Sequence, residues 1–305
     1  MRPRKPKSFR GFSFALAALL ACCGLLPGHA CAADTHTERI IALVTINGRG
    51  PFRFMLDTGA NQTVLTESVV QRLQLPLDNQ ALIAVVGVSG TTWVASAHVD
   101  RLDSGALHLL DVQLPVLSGR LFDDLDGILG TDGFQDKTMS ADFINGQFTI
   151  AQSQRAGAPQ RLPVIALQFL SRRMMLVDGY VGRVRTKALI DTGGTHTLGN
   201  RALLDALNTG RGEPLVQSST RVVDATQGLQ AATLARVPLI RLGGANIERL
   251  AVTFGDFPVF EAWGLQDQPA LLIGMDVLGS LAELNIDYRR RELAMLPRAG
   301  TLAAH

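Results

Sequence analysis

Asp57, Thr58 and Gly59 close the apolar run Phe54-Met55-Leu56, and Asp191, Thr192 and Gly193 close Ala188-Leu189-Ile190. In both places an apolar strand delivers a carboxylate into a turn, where glycine leaves no side chain to block close approach of backbone or ligand. Two such turns that faced each other would bring Asp57 and Asp191 together around one water. At ~3 Å and an effective dielectric near 20, two ionised carboxylates repel by roughly 5 kcal/mol, or about four pK units, before hydrogen bonds offset it. One proton is then held between them. The ionised member can take a proton from the water while the protonated member donates to a carbonyl oxygen, which is acid and base work without a covalent intermediate. The pair titrates as a unit, so neither residue is assigned the proton.

The duplication extends well beyond the two triplets. Gly48 and Gly182 each precede their aspartate by nine residues, and Thr63 and Thr197 each follow it by six. Further on, Ile128-Leu129-Gly130 is followed by Asp132, and Leu272-Ile273-Gly274 by Asp276. A closing acidic-aromatic pair, Asp142-Phe143 or Asp287-Tyr288, ends each half. Landmarks recurring in one order mark an internal repeat, which constrains the topology before any single element does.

The elements that must position these residues read mostly as strands. Residues 39–46, 52–57, 81–88, 174–181 and 186–191 are rich in β-branched and apolar residues, and Asn47-Gly48 and Asn145-Gly146 are hairpin signals. Two short helices are expected, one from Thr66 with that threonine as N-cap and one from Asn200, at similar distances after the two aspartates. The polar stretch 153–163 reads as a linker between lobes at 38–152 and 164–298.

The amino end reads differently from the body. Basic residues up to Arg10, an apolar run from Phe12 to Leu26, and the small-residue patch His29 to Asp34 follow the order of a secretory signal peptide, with cleavage expected after Ala32 or Ala33. Leu19 to Cys22 also resembles a lipobox, which makes a membrane-tethered lipoprotein at Cys22 the alternative to a soluble exported protein. The export expected is to a bacterial periplasm. Five of the 29 basic residues precede residue 33, leaving 24 against 27 acidic ones. The mature chain is thus mildly acidic and gives no reason to invoke nucleic acid. Cys22, Cys23 and Cys31 all lie in or beside the leader, so the body offers no thiol nucleophile or disulfide. No two histidines have metal-ligand spacing, and no cofactor or metal is expected.

Paired D-T-G turns, each followed by two apolar residues and a glycine, resemble the aspartic proteases. "DTGA" at 57–60 and "DGILG" at 126–130 look most like their retropepsin-like bacterial branch. The resemblance spans residues 39 to 297. It implies an all-β, bilobal acid-protease fold with pseudo-twofold symmetry and a few short helices, an extended cleft, and cleavage of peptide or protein substrates by a monomer. It implies Asp57 and Asp191 as the catalytic pair, Thr58 and Thr192 cross-bonding the loops beneath them, and Gly59 and Gly193 meeting substrate backbone. Gly87, Val88, Ser89 and Gly90 resemble the tip of the flap over the cleft, with Val223 to Gly228 a poorer counterpart in the second half. Asn61, Gln62, Thr195 and His196 fall where the family lines its cleft. Trp93, just past the flap tip, reads either as a substrate cover or as hairpin packing.

One departure bears on tuning. The residue after D-T-G, which in pepsin-like enzymes carries a hydroxyl, is Ala60 in one half and Gly194 in the other. Fewer bonds to the ionised form depress its pKa less, so work in mildly acidic to near-neutral conditions is expected. Asp132 and Asp276 read as helix N-caps, and Asp123, Asp124 and Asp126 as a solvated acidic loop. Two alternatives stand beside the enzyme reading: a catalytically silent peptide-binding module on the same fold, and pairing of each lobe with another molecule. Against the latter, tethering gives the two lobes an effective concentration on the order of millimolar.

Overall fold

The computed structural model describes residues 14–17, 39–118, 124–154, 164–170, 174–209, 214–223 and 228–298. The leader expected at 1–33 therefore lies outside them except for the strand Phe14–Ala17, and so do the lipobox cysteine, most of the linker, Asp123 and positions 224–227 of the second flap.

The chain builds three sheets, one for each half and one shared between them. In the first half Ile41–Ile46 and Arg49–Leu56 form a hairpin, with Asn47 and Gly48 both at positive φ (50° and 72°) at its turn. Two successive residues at positive φ are what the Asn-Gly turn signal calls for. Arg49–Leu56 pairs in parallel with Gly127–Leu129, which in turn pairs antiparallel with Val64–Thr66. The second half repeats this: Met175–Val181 and Val184–Ile190 form the hairpin, Val184–Ile190 pairs in parallel with Ala270–Ile273, and Leu198–Asn200 pairs antiparallel with it. The aspartate-bearing strand and the apolar strand ahead of the later glycine are thus neighbours in both halves, which explains why those landmarks recur together.

Both short helices form where their caps stand. Thr66 accepts from the Val69 N–H at 3.3 Å at the start of Glu67–Leu73, and Asn200 Oδ1 accepts from the Leu203 N–H at 2.9 Å at the start of Arg201–Thr209. A polar oxygen supplied to an early helical N–H satisfies a donor the helix cannot pair internally.

The third sheet is the joint. Lys137–Asp142 and Gln147–Gln152 come from the first half, and Val164–Ala166, Leu281–Asp287 and Glu292–Pro297 from the second. At its centre Leu281–Asp287 pairs antiparallel with Lys137–Asp142, joining Leu284 to Ala141 and Ile286 to Met139. Ser153, at the head of the expected linker, is buried and donates to both Asp287 oxygens at 2.9 and 2.8 Å. Leu284, Ile286 and Met139 are fully buried, so the two halves share apolar core and not merely a connecting segment.

A long hairpin, Leu77–Gly87 with Thr91–Ser104, rises from the first half, and Phe14–Ala17 runs parallel to its Ala84–Gly87 edge. Among the described residues no helix is long and apolar enough to cross a membrane. Because Leu284 is buried at the seam, Leu284→Ala is expected to cost about 2–5 kcal/mol. Urea unfolding of the whole chain checks it, and a midpoint unchanged from wild type would contradict the shared core.

Candidate active site

Each D-T-G turn leaves its strand through the same backbone bond. The Asp57 N–H donates to Leu129 C=O at 3.0 Å and the Asp191 N–H to Ile273 C=O at 2.9 Å. Below the carboxyls the threonines tie one turn to the other. The Thr58 N–H donates to Thr192 Oγ1 at 3.1 Å and the Thr192 N–H to Thr58 Oγ1 at 3.1 Å. Their hydroxyls donate onward to Ile190 C=O at 2.7 Å and Leu56 C=O at 2.9 Å, carbonyls of the opposite strand. All four bonds are buried, where an unmade partner costs most.

These bonds set each carboxyl against the other half's glycine. A Cβ on Gly59 would lie 2.6 Å from Asp191 Oδ1, and one on Gly193 would lie 2.5 and 2.6 Å from the two oxygens of Asp57. Only glycine fits both places. Asp57 and Asp191 are fully buried. Their Oδ1 atoms are held from below, Asp57 by the Gly59 N–H at 2.8 Å and Asp191 by the N–H groups of Gly193 and Gly194 at 2.9 and 3.1 Å. Oδ2 of each is buried with no hydrogen-bond donor among the described residues reaching it.

Burial is the largest cause that raises both carboxyls. Asp57 stands well above the ordinary carboxylate value because of burial and then the charge of Asp191. Asp191 is pushed up to about 6 by burial, against the lowering effect of its contact with Asp57 and of backbone N–H groups. The two carboxyls titrate together, and neither is assigned the proton. Neither Ala60 nor Gly194 supplies a hydroxyl, and a side chain at 194 would crowd Asp191 itself, its Cβ 2.7 Å from Oδ2. This arrangement can hold one acid and one base side by side on unpaired oxygens.

A second, half-buried pair of carboxylates braces the turns. Thr63 donates its N–H and hydroxyl to Asp132 Oδ1 at 2.9 and 2.6 Å, and its Oγ1 accepts from the Gly130 N–H at 3.2 Å. In the other half Thr197 donates its N–H to Asp276 Oδ2 at 2.9 Å and its hydroxyl to Oδ1 at 2.7 Å, and accepts from the Gly274 N–H at 3.2 Å. The N-cap expectation for these two aspartates is corrected. Asp276 sits inside the first turn of Met275–Leu278, whose cap is Gly274, and no helix follows Asp132. Their use is to lock a recurring threonine. Burial raises Asp276, partly offset by its bonds to Thr197. The acidic-loop expectation is corrected too for Asp126, which pairs with Arg72 at 2.6 Å and accepts from the Arg53 N–H at 2.8 Å. Asp124 pairs with Arg39 at 3.2 Å.

The remaining expected site residues separate. Gly87, Val88, Ser89 and Gly90 form the hairpin tip, closed by the Gly87 N–H on Gly90 C=O at 2.7 Å. Asn61, Thr195 and His196 are half-buried after the turns. Gln62 is half-buried as well but turns its amide to Gln113 C=O at 3.0 Å, and His196 Nδ1 lies 4.0 Å from Asp276. Trp93 stands opposite Ala84 on the hairpin and is half exposed. Sequence reasoning missed Tyr288, whose hydroxyl is buried without a partner among the described residues; burial raises it, and the charge of Asp57 adds to this.

Because both dyad carboxyls stand above their unfolded values, the folded chain binds the extra proton. Their stabilising contribution is present below the ordinary 3.8 and lost as pH rises through about 6. Carboxyls held low by partners, such as Asp103 beside Arg101 and Asp178 beside Lys187, act below that window. Urea midpoints are therefore expected to fall between these two pH values, with a shallower fall in Asp191→Asn. Equal slopes in both proteins would contradict the shared proton. Thr58→Val is expected to destabilise the fold by about 1–3 kcal/mol, with Thr58→Ser close to wild type, in the same assay.

Residues 42–136 match the family model described as "gag-polyprotein putative aspartyl protease", and residues 177–277 match the model described as "Aspartyl protease". No curated protein matches the chain. Among solved structures, a retropepsin-like aspartic protease from Rickettsia conorii matches at 16% identity over 43% of this chain and 86% of that one, with a TM-score of 0.29. With an aspartyl protease model matched in each half and the two turns cross-bonded at their seam, the chain belongs to the aspartyl proteases, with both domains in one polypeptide.

Proposed function

We propose that the protein is an endopeptidase in which Asp57 and Asp191 activate a water between them. The observation that supports this most is the placing of each carboxyl against the opposite glycine, with both Oδ2 atoms buried and unpaired. The ionised carboxylate removes a proton from the water as its oxygen bonds to the peptide carbonyl carbon, and the protonated carboxyl donates to the carbonyl oxygen. Collapse of the resulting diol breaks the C–N bond as a proton passes to the nitrogen, returning the dyad to one shared proton. Thr58 and Thr192 hold the turns, and Gly59 and Gly193 leave room for substrate backbone. The flap tip, Gly87 to Gly90, covers the substrate, and Asn61, Gln62, Thr195 and His196 border it.

The protein acts as a monomer, since its own halves supply both carboxyls, on peptide or protein substrates. Its amino-terminal sequence favours export to a periplasm, with tethering through Cys22 the alternative. With both carboxyls raised by burial, its activity belongs in the mildly acidic to near-neutral range.

A diverse peptide pool, incubated with and without pepstatin, tests the proposal. Asp57→Asn and Asp191→Asn are each expected to lower hydrolysis by about 10²–10⁴-fold while peptide binding persists. Cleavage by both variants at the wild-type rate would refute the pair. Wild-type protein that binds peptides and never cleaves them would establish the silent module instead. An activity maximum below about pH 3 would contradict the raised pair, and activity growing with the square of protein concentration would contradict the monomer.

A further inference from the structure

At the edge of the shared sheet lies a cavity of about 460 Å³ whose lining includes no residue of either D-T-G turn or of the hairpin tip. That size falls within the range of ligand sites. Gln147–Gln152 is the edge strand there, laddered only to Lys137–Asp142. Along an antiparallel strand, alternate residues turn their N–H and C=O to opposite sides. The Ser153 N–H bonds inward to Asp136 C=O at 2.8 Å, whereas Ile150 C=O accepts from the Ala106 N–H at 3.1 Å on the outer side. Phe148, two residues before Ile150, therefore turns its N–H and C=O outward as well, and among the described residues no bond from beyond the sheet reaches them. Phe148 and Ala141 stand opposite each other on one face, and with Ile40 and Phe143 they give the cavity an apolar floor. Arg53 also lines the cavity, and its guanidinium has no partner among the described residues. The other charges there are engaged. Arg39 pairs with Asp124 at 3.2 Å, and the Asp142 carboxylate accepts from the N–H groups of Ile144 and Asn145 at 2.9 and 3.0 Å and from the Asn145 amide at 2.7 Å.

We propose that this cavity and strand edge form a second peptide site, which takes an extended segment with an apolar side chain two positions from an acidic one. The segment adds as a strand beside Gln147–Gln152 and exchanges backbone bonds with Phe148. Residues opposite each other across a ladder share a face, and that face recurs at every second residue. The residue opposite Phe148 therefore points to the floor made by Phe148, Ala141, Phe143 and Ile40. An acidic residue two positions along lies on the same face, where Arg53 is the unpaired cation. A small amphiphile would cover the floor and leave the strand edge open, and a basic segment would meet Arg53 with like charge. Open edge, apolar floor and lone cation together fit an acidic extended peptide. Under the peptidase reading, on which this consequence alone rests, a protein substrate carrying such a segment is held outside the cleft as well as within it.

Fluorescence anisotropy of a labelled peptide, Thr-Glu-Thr-Leu-Thr-Glu-Thr, with the full-chain Asp57→Asn protein tests the site without turnover. Saturable binding is expected, weakened at least about tenfold by adding Arg53→Glu and restored in that variant by the peptide with lysine in place of glutamate. Recovery with the swapped charge also shows that the variant is folded. Absence of saturable binding, or Arg53→Glu binding both peptides as its parent does, overturns the site. Methylating the leucine nitrogen removes a ladder donor and is expected to weaken binding by about tenfold. Decanoate that displaces the peptide, with methylation changing nothing, would mark a small-amphiphile pocket and overturn the strand pairing. Hydrolysis by wild type of a peptide without the acidic-apolar pattern reports separately on the peptidase reading. A chain that never hydrolyses it yet binds the patterned peptide through Arg53 would sink that reading and leave the second site standing.

Discussion

Two carboxyl groups that meet at full burial repel when both are ionised, and the structure around Asp57 and Asp191 has to hold them together against that repulsion. Each carboxyl is held only through its Oδ1, and the Oδ2 atoms are left unpaired. The stronger restraint acts one residue later, where Thr58 and Thr192 exchange two buried bonds and each hydroxyl donates to a carbonyl of the opposite strand. It acts again six residues past each aspartate, where Thr63 and Thr197 are fastened by Asp132 and Asp276. Backbone bonds made beside the carboxyls leave the two Oδ2 atoms unencumbered, an arrangement that suits a preorganised site.

The twofold likeness is close in the brace and looser above it. Both aspartates receive N–H donors on Oδ1, yet Asp191 has two at hydrogen-bond distance and Asp57 one. Both carboxyls are nevertheless raised, with burial the largest cause for each. Duplicated halves in one chain can drift apart in this way, because each site residue is encoded separately and only the seam must stay complementary. The seam itself, Leu281–Asp287 on Lys137–Asp142, keeps the two turns in register.

Much of this was legible in the sequence, for reasons that differ by residue. The D-T-G turns, Thr63 and Thr197 and the apolar-apolar-Gly runs were visible because each is a local pattern and each occurs twice. Thr66 could be read as a cap because a cap acts within three residues of itself, and Asn200 could be read only as the start of a helix. Asp132 and Asp276 were misread by the same local rule. Their true partners lie 69 and 79 residues away, and helix signals carry no information at that range. Asp126 was taken for a solvated acid because its neighbours in the chain are acidic, while Arg72 reaches it from 54 residues off. The packing of Val86 and Val88 with residues of the second half had no sequence signal either, since an apolar hairpin tip reads alike whether it packs on its own lobe or on another.

Ala60 connects the flap to the chemistry. A hydroxyl at that position would bond the neighbouring carboxylate and lower its pKa. The methyl group found there offers no bond and instead packs with Val85 of the flap strand and Met55, Val64 and Ile128 beneath it. One small apolar side chain thus removes a stabiliser of the charged form and adds surface on which the flap can close. The same hairpin packs Val86 and Val88 with Leu176 and Leu189 of the strands leading to Asp191, so it touches both halves. Burial is the leading cause raising both carboxyls. The missing hydroxyl and the burial of the pair act in the same direction, since each disfavours the ionised form of a carboxyl.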